Sequence, residues 1–250
     1  MVRAFRLLVL ITITAIAACG QEKPAHRATK PFHPKEYPAE KFQVTKNDYA
    51  FGDLTVRVID VKNRGGIASS EPHFCSAWVE VLKSTQLLKR FYYGDIEPVG
   101  ANYGAFVPKQ QPSDDYFAVV KEGDYDGRLL LIDHEGKVVD LPGGFYFVTP
   151  DKKLLFSLYS SDSPGLAVFD LANHHVVLQP KDLLDPDKWY HDSKGYFFTD
   201  PDNPGSASRP DFRNHRFVSF KVSDSDLKKA IRVDYDFDPR KKKDCTSVRQ

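Results

Sequence analysis

Residues 116–141 read YFAVVKEGDYDGRLLLIDHEGKVVDL, which is three apolar runs separated by polar, turn-forming residues. The runs occupy 116–120, 128–133 and 137–141, and the turn His134-Glu135-Gly136 separates the last two. Short apolar runs bounded by glycine and charged residues are typical of β-strands. This stretch therefore predicts a set of neighbouring strands rather than a helix.

The same pattern recurs with a period near forty residues. Four apolar runs each contain an aromatic residue, and aligning these residues gives steps of 39, 39 and 41: Trp78, Phe117, Phe156 and Phe197. Inside the units, the 21-residue step from Phe117 to Val138 is repeated from Phe156 to Val177. Repeats of about 40–45 residues with about four strands each are typical of propeller blades.

One turn strengthens this interpretation. Thr149-Pro150-Asp151-Lys152-Lys153-Leu154 resembles the Ser-Pro-Asp-Gly-Lys turns of bacterial β-propellers. The resemblance covers residues 72–236 and implies an all-β fold, a small propeller-like array of four or five antiparallel blades. Residues 55–61 either complete a blade or add a fifth part, and a β-sandwich or barrel is the alternative fold. Helix is expected only as short turns at 223–230 and 180–189.

The N-terminus has the features of an export signal. Arg3 and Arg6 precede an apolar run, 7–18, which is too short to span a bilayer but fits a cleaved signal peptide. Residues 16–20, Ile-Ala-Ala-Cys-Gly, resemble a bacterial lipobox. The resemblance implies lipidation of Cys19, and Gly20 in place of Asp implies sorting to the outer membrane, facing the periplasm. An ordinary signal peptide with an incidental cysteine is the alternative.

The predicted organisation has three parts. They are a signal peptide (1–18), the lipidated cysteine with a proline-rich tether (19–44), and a single β-repeat domain (45–250). Pro24, Pro31, Pro34 and Pro38 interrupt the tether, and prolines favour an extended spacer.

Charge excludes one class of partner. The whole chain has a formal net charge of +1, and loss of Arg3 and Arg6 with the signal peptide leaves about −1. A nucleic-acid partner would require a strongly basic domain, so none is predicted. The basic run 240–243 is interpreted as a solvated tail.

Two cysteines remain after the lipidation site. In an oxidising compartment a disulfide between Cys75 and Cys245 is the default, and two buried free thiols are the alternative. In a closed ring the first and last blades would be neighbours, so such a bridge would fasten the ring. On the loop-entropy account it would contribute about 5 kcal/mol.

The sequence contains no G-x-S-x-G elbow, P-loop, H-E-x-x-H or G-x-G-x-x-G motif, and neither a cofactor nor a catalytic residue is predicted. Asp124 and Asp126 precede Gly127 as in a calcium loop, but they lack the later ligands, so a hairpin turn is the preferred interpretation. His174, His175 and His191 are interpreted as surface histidines rather than metal ligands.

The predicted function is protein binding. Aromatic and arginine residues in the segments 94–112, 160–165 and 185–213 are the candidate contacts: Trp189, Tyr190, Tyr103, Phe106 and Arg209. Trp189 fits a core position equally well. The chain is therefore expected to be a membrane-anchored periplasmic lipoprotein that acts as a non-catalytic binding module, in its sharpest version an immunity or inhibitor protein against a toxin or hydrolase. The alternatives are a small-ligand binder or hydrolase with a pocket on a propeller face, and a scaffold in an envelope assembly.

The lipid anchor makes a direct prediction. Cells fed radiolabelled palmitate should label the wild-type protein, whereas a Cys19→Ser variant should carry no label and should leave the membrane fraction. Its thiol is the only acyl attachment point that the lipobox implies. A variant that retains both label and membrane association would rule out the anchor, and Cys75→Ser, which should label normally, is the control.

Overall fold

The computed structural model describes residues 30–63, 75–93, 104–122, 127–159, 165–180, 186 and 188–238. Within these ranges the chain forms four antiparallel sheets, with one short α-helix and one turn of 3-10 helix. The prediction of an all-β, propeller-like array is confirmed, and the described residues form four blades.

Sheet 1 consists of two long hairpins in the order β1-β2-β3-β4. Its strands are β1 (Phe42–Phe51), β2 (Leu54–Asn63), β3 (Cys75–Lys83) and β4 (Gln86–Tyr93). Gly52 takes a φ of +57° in the tight turn between β1 and β2, a conformation that glycine adopts without steric cost. Residues 55–61 belong to β2 and so complete the first blade.

Sheets 2 and 3 repeat the same order of strands. Sheet 2 contains β5 (Gly104–Phe106), β6 (Tyr116–Glu122), β7 (Arg128–Asp133) and β8 (Val138–Pro142). Sheet 3 contains β9 (Phe145–Val148), β10 (Leu154–Tyr159), β11 (Gly165–Asp170) and β12 (His175–Leu178). In both sheets, strands that follow one another in the sequence therefore lie next to one another in the sheet.

Sheet 4 gains a fifth strand from further along the chain. It contains β13 (Lys188–Asp192), β14 (Gly195–Thr199), β15 (Ser206–Asp211) and β16 (Arg216–Lys221), after which α1 (Asp224–Lys229) leads to β17 (Ile231–Val233) beside β13. Ser223 starts the helix as a capping box: its side chain accepts from the N–H of Asp226, whose carboxylate accepts from the Ser223 N–H. The predicted short helix is confirmed there. Of the second helical turn expected at 180–189, Lys188 and Trp189 form the start of β13 instead, and residues 181–185 and 187 lie outside the described residues.

The sheets pack face to face in chain order. In β7, Leu129 and Leu131 face sheet 3, whereas Leu130 and Ile132 face sheet 1, and all four are almost fully buried. A third cluster joins sheets 3 and 4 around Phe147, Phe156 and Trp189. The core is thus three apolar layers between four sheets.

The outer face of sheet 1 is covered by residues that precede it. Phe32 and Tyr37 pack against Trp78 at ring-centre distances of 5.2 and 5.7 Å, and Trp78 Nε1 donates to the carbonyl of Lys30 at 2.9 Å. Further along the same face, four charged residues lie in register across the four strands: Asp48, Arg57, Glu80 and Arg90. Their ion pairs measure 2.7, 3.7 and 2.7 Å in that order. This face is therefore closed to another sheet.

These contacts correct two expectations. Residues 30–41 belong to the folded domain, so the predicted tether ends before residue 30 rather than at 44. Among the described residues no apolar cluster joins sheet 1 to sheet 4, and the outer face of sheet 4 is covered in part by Leu227 and Ala230. The Cys75–Cys245 disulfide stays a prediction, because Cys245 and the side chain of Cys75 lie outside what the structure describes. The open arrangement of the described sheets removes the argument that the disulfide would fasten a closed ring.

The C-terminal segment crosses from sheet 4 back to sheet 3. After β17, Tyr235 packs in the layer between sheets 3 and 4, and Phe237 packs in the layer between sheets 2 and 3. Phe237 exchanges backbone hydrogen bonds with Tyr146, and the Val148 N–H donates to Asp236 at 2.6 Å. This strap holds the last two sheets together along β9.

The repeat is real, but the sequence alignment of its aromatic residues was out of register. Trp78 lies on the third strand of its sheet, whereas the other three aligned residues lie on the second. Phe117 faces back towards sheet 1, whereas Phe156 faces forward towards sheet 4. A shift of one residue moves a strand side chain to the opposite face, so the period of 39 aligns positions that are not equivalent.

The buried carboxyl group of Asp60 should make the stability of the protein depend on pH. It lies between sheets 1 and 2, accepts the Ala105 N–H at 3.1 Å, and burial raises the pKa of its carboxyl from 3.8 to about 6. Between these two pKa values Asp60 holds a proton in the folded protein and releases it in the unfolded chain. The stability that protonated Asp60 contributes is therefore full below about pH 4 and is lost as the pH rises through 6. Asp60→Asn keeps an acceptor for Ala105 and should raise the unfolding free energy at pH 7 by about 2–3 kcal/mol.

Urea denaturation between pH 4 and 8 measures this effect. Asp48→Asn is the control, because its bond to Arg57 lowers the pKa of the Asp48 carboxyl, so this variant should lose stability at pH 7. An Asp60→Asn variant that is less stable than wild type at pH 7 would contradict the assignment.

Candidate functional site

An open cavity of about 980 Å³ lies on the outer face of sheet 4. We call it the sheet-4 groove. Phe197, Val218 and Phe220 form its floor, the turn 210–213 forms one wall, and Asp226, Lys229 and Ala230 at α1 form another. The groove exists because α1 covers one part of this face and leaves the rest open.

Arg209 organises the floor. Its Nη1 and Nη2 donate to the two carboxylate oxygens of Asp192 at 2.8 and 2.7 Å, and Nη1 also lies 3.3 Å from the Gly195 carbonyl. The guanidinium carbon lies 5.3 Å from the ring centre of Phe197 and 5.2 Å from that of Phe220. Bidentate carboxylate binding combined with cation–π contact fixes this side chain in place.

The carboxylates of the groove are all engaged within the protein. The Arg209 guanidinium lowers the pKa of the Asp192 carboxyl, and the Asn214 side-chain amide lowers that of Asp211. The Ser223 hydroxyl and backbone N–H lower the pKa of the Asp226 carboxyl at the helix cap. All three carboxyls therefore remain ionised near neutral pH.

The cations of the groove differ in this respect. Lys194, Arg213, Lys221 and Lys229 line it with exposed side chains. Within the described part of the chain, none of the four forms an ion pair with a carboxylate; the only lining pair is Arg209 with Asp192. The groove thus has an excess of positive charge on an apolar floor.

Two large apolar side chains in this lining remain open to solvent. Phe212 is 42% exposed and Val218 is 41% exposed. Phe212 lies in the turn between β15 and β16, and Val218 lies on β16, the edge strand. Exposed apolar side chains grouped beside charged ones are typical of an interaction surface.

The structure divides the predicted contact residues. Arg209 lies in the groove, and Tyr190 stacks on Phe197 at 5.4 Å from the neighbouring strand without lining the groove itself. Trp189 is only 1% exposed and packs between sheets 3 and 4, so its assignment as a surface contact is corrected to a core position. Phe106 packs against the core between sheets 2 and 3, and Tyr103 lies outside the described residues.

In the segment 185–213 the apolar run around Phe197 forms β14 as expected, whereas β13 and β15 lie where connecting residues were expected. The aromatic residues of the segment therefore alternate between the core and the outer face. Sequence reasoning missed Phe212, Val218 and Phe220. A signal for the last two was present, because they lie two residues apart in the alternating strand RFVSFK.

The weak metal candidates gain no support. The described residues contain no group of three or more side chains placed to hold a metal ion, and Asp124 and Asp126 lie outside them. His174 contacts the Tyr116 hydroxyl at 2.5 Å through Nδ1, His191 packs against Tyr196, and His175 is exposed at the start of β12. The three histidines therefore have separate surroundings. No helix in the described ranges is both long and apolar enough to cross a bilayer.

Comparison with known proteins adds little. No protein-family model matches the chain, and no curated protein matches it. A solved structure from Bacteroides fragilis, of a proposed 6-phosphogluconolactonase, overlays 75% of this chain on 70% of its own with 12% identity and a TM-score of 0.29. A similarity at this level supports no statement about the activity of this chain.

The Arg209 site makes a stability prediction. Arg209→Ala should lower the unfolding free energy by about 2–3 kcal/mol, because it removes two charge-assisted hydrogen bonds and leaves Asp192 without its cation. Arg128→Ala, which removes the more exposed pair with Asp140, is the control and should cost about 1 kcal/mol or less. Chemical denaturation at neutral pH measures both, and equal losses would show that Arg209 has no special structural role.

Proposed function

We propose that this protein is a lipid-anchored envelope protein that acts as a protein-binding module through the sheet-4 groove. The observation that carries the proposal is the grouping of exposed Phe212 and Val218 with four cations beside a rigid aromatic floor. Binding sites between proteins combine apolar anchors with a polar rim in this manner. Periplasmic location and attachment through Cys19 are part of the proposal and depend on the lipobox resemblance.

The state of the carboxylates favours binding over acid–base chemistry at this site. A general acid or base works best with a pKa near the working pH. The pKa values of Asp192, Asp211 and Asp226 are all shifted downwards, away from that range. The groove thus offers fixed charges and apolar surface rather than a group poised to exchange protons.

The position of the groove suits a tethered protein. The residues that follow the proposed tether, Lys30 to Tyr37, cover the outer face of sheet 1. The groove lies on the outer face of sheet 4, with sheets 2 and 3 between. A partner in the groove therefore binds at the end of the array opposite Lys30, where the described chain begins. The sharpest form of the proposal is an immunity or inhibitor protein that intercepts a toxin or hydrolase there.

A capture experiment with a matched control tests this function. The mature chain without lipid, from residue 20 onwards, is used as bait for envelope extracts in wild-type, Val218→Asp and Val44→Asp forms. Val44 is 40% exposed on β1, the opposite edge of the array, and so matches Val218 in exposure and strand position. A true partner should be retained by wild type and by Val44→Asp, with its yield reduced about tenfold or more by Val218→Asp.

Two results would count against the proposal. One is that no protein is retained saturably by the wild-type chain. The other is that Val44→Asp and Val218→Asp reduce retention equally. Stable co-isolation of several envelope proteins regardless of Val218 would instead support the scaffold alternative, and turnover of a glycan or peptide would support the hydrolase alternative.

A further inference from the structure

We propose that the partner enters the sheet-4 groove with an acidic segment that also carries apolar side chains. This inference rests on the proposed function and specifies the chemistry of the partner. It follows from the charge balance, the apolar lining and the shape of the groove.

The charge balance calls for an anionic occupant. Among the described residues, Arg209 and Asp192 neutralise each other, while Asp211 and Asp226 are held by hydrogen bonds from Asn214 and Ser223. Five Lys and Arg residues line the groove against three Asp residues, although the whole chain carries a net charge of only +1. The positive charge is therefore a local property, and a concave surface of low dielectric concentrates its field.

The apolar lining calls for more than charge. Phe212 and Val218 are exposed beside Phe220, and a simple anion such as phosphate would leave all of them in contact with water. A polypeptide segment that alternates carboxylates with leucine or phenylalanine would cover these side chains and neutralise the lysines together. The two requirements are met by one occupant only if its charges and apolar groups lie close together in space.

The shape distinguishes a segment from a lipid surface. A bilayer containing anionic lipids would also attract Lys194, Lys221 and Lys229, but a flat surface cannot enter a concave groove of about 980 Å³. A protruding segment of a protein can enter it. This geometry favours the acidic segment over the membrane.

Fluorescence anisotropy with defined peptides tests the inference. The first probe is a labelled peptide of about fifteen residues in which Glu and Asp alternate with Leu and Phe. In the second peptide Lys replaces every acid, and in the third Gly replaces every apolar residue. The mature full chain should bind the first peptide at least about tenfold more tightly than either of the others, and its affinity should fall as salt screens the charges.

Charge reversal locates the site. Lys221→Glu combined with Lys229→Glu should weaken binding of the first peptide about tenfold or more, and Lys221→Gln with Lys229→Gln should weaken it less. Lys83→Glu combined with Lys89→Glu makes the same charge change at exposed positions of sheet 1 and should leave binding unchanged. Thermal unfolding checks that every variant folds. If the Lys221→Glu, Lys229→Glu variant does not fold, the Lys221→Gln, Lys229→Gln variant still tests whether these two charges contribute to binding.

The contrary results are distinct. Failure of the acidic peptide to bind, or equal weakening by the sheet 1 control pair, overturns the inference. Binding to phosphatidylglycerol-containing vesicles through Lys221 and Lys229, without binding of the peptide, overturns it in favour of the membrane. If the peptide fails while Val218→Asp still abolishes capture of an envelope protein, the proposed function stands and only the acidic character of the partner is wrong. If the peptide binds but capture is insensitive to Val218→Asp, the proposed function is wrong at this site.

Discussion

The central constraint in this protein is that each middle sheet must bury both of its faces. Leu129, Leu130, Leu131 and Ile132 follow one another along β7, and alternate side chains enter two different apolar layers. A single exposed face of such a sheet would place several large apolar side chains in water, at roughly 1.5–3 kcal/mol each. Sheets 2 and 3 are therefore stable only between neighbours, and the array cannot end at either of them.

In an open array each of the two end sheets has an outer face without a neighbouring sheet, and these two faces are covered in different ways. Sheet 1 is closed by Phe32 and Tyr37 and by the charge ladder from Asp48 to Arg90, so most of its outer face is covered or charged. Sheet 4 is closed only in part, by the short helix α1 and by the Arg209–Asp192 pair. Repeat proteins generally need altered terminal units with a polar outer face. The incomplete cover on sheet 4 produces the groove, so the candidate site is a consequence of how the array ends.

Much of this fold could be predicted from the sequence, and the errors have physical causes. The strands of the middle two units were located correctly, because their apolar runs are bounded by clear turns such as His134 to Gly136. The short first strands β5 and β9 were missed, since three or four residues give too little pattern. The aromatic period misled the register, because a large aromatic side chain suits a buried position on either face. Arg209 was identified as a candidate by residue type alone, and the same reasoning chose Trp189, which is buried.

The sequence by itself determined that the protein is all-β, that it contains a repeat of about forty residues, and that its N-terminus resembles an export and lipidation signal. These properties depend on local patterns: alternation along a strand, turn chemistry and a short apolar run followed by cysteine. Only the tertiary structure decided that the array is open across the described residues, that residues 30–41 belong to the domain, and which side of β13 faces solvent. Each of those outcomes depends on which sheet face meets which neighbour, and that is settled by contacts between residues far apart in the chain, such as Trp78 with Lys30 or Tyr146 with Phe237. The groove arises in the same way, because its lining comes from strands, turns and a helix that have no common sequence pattern.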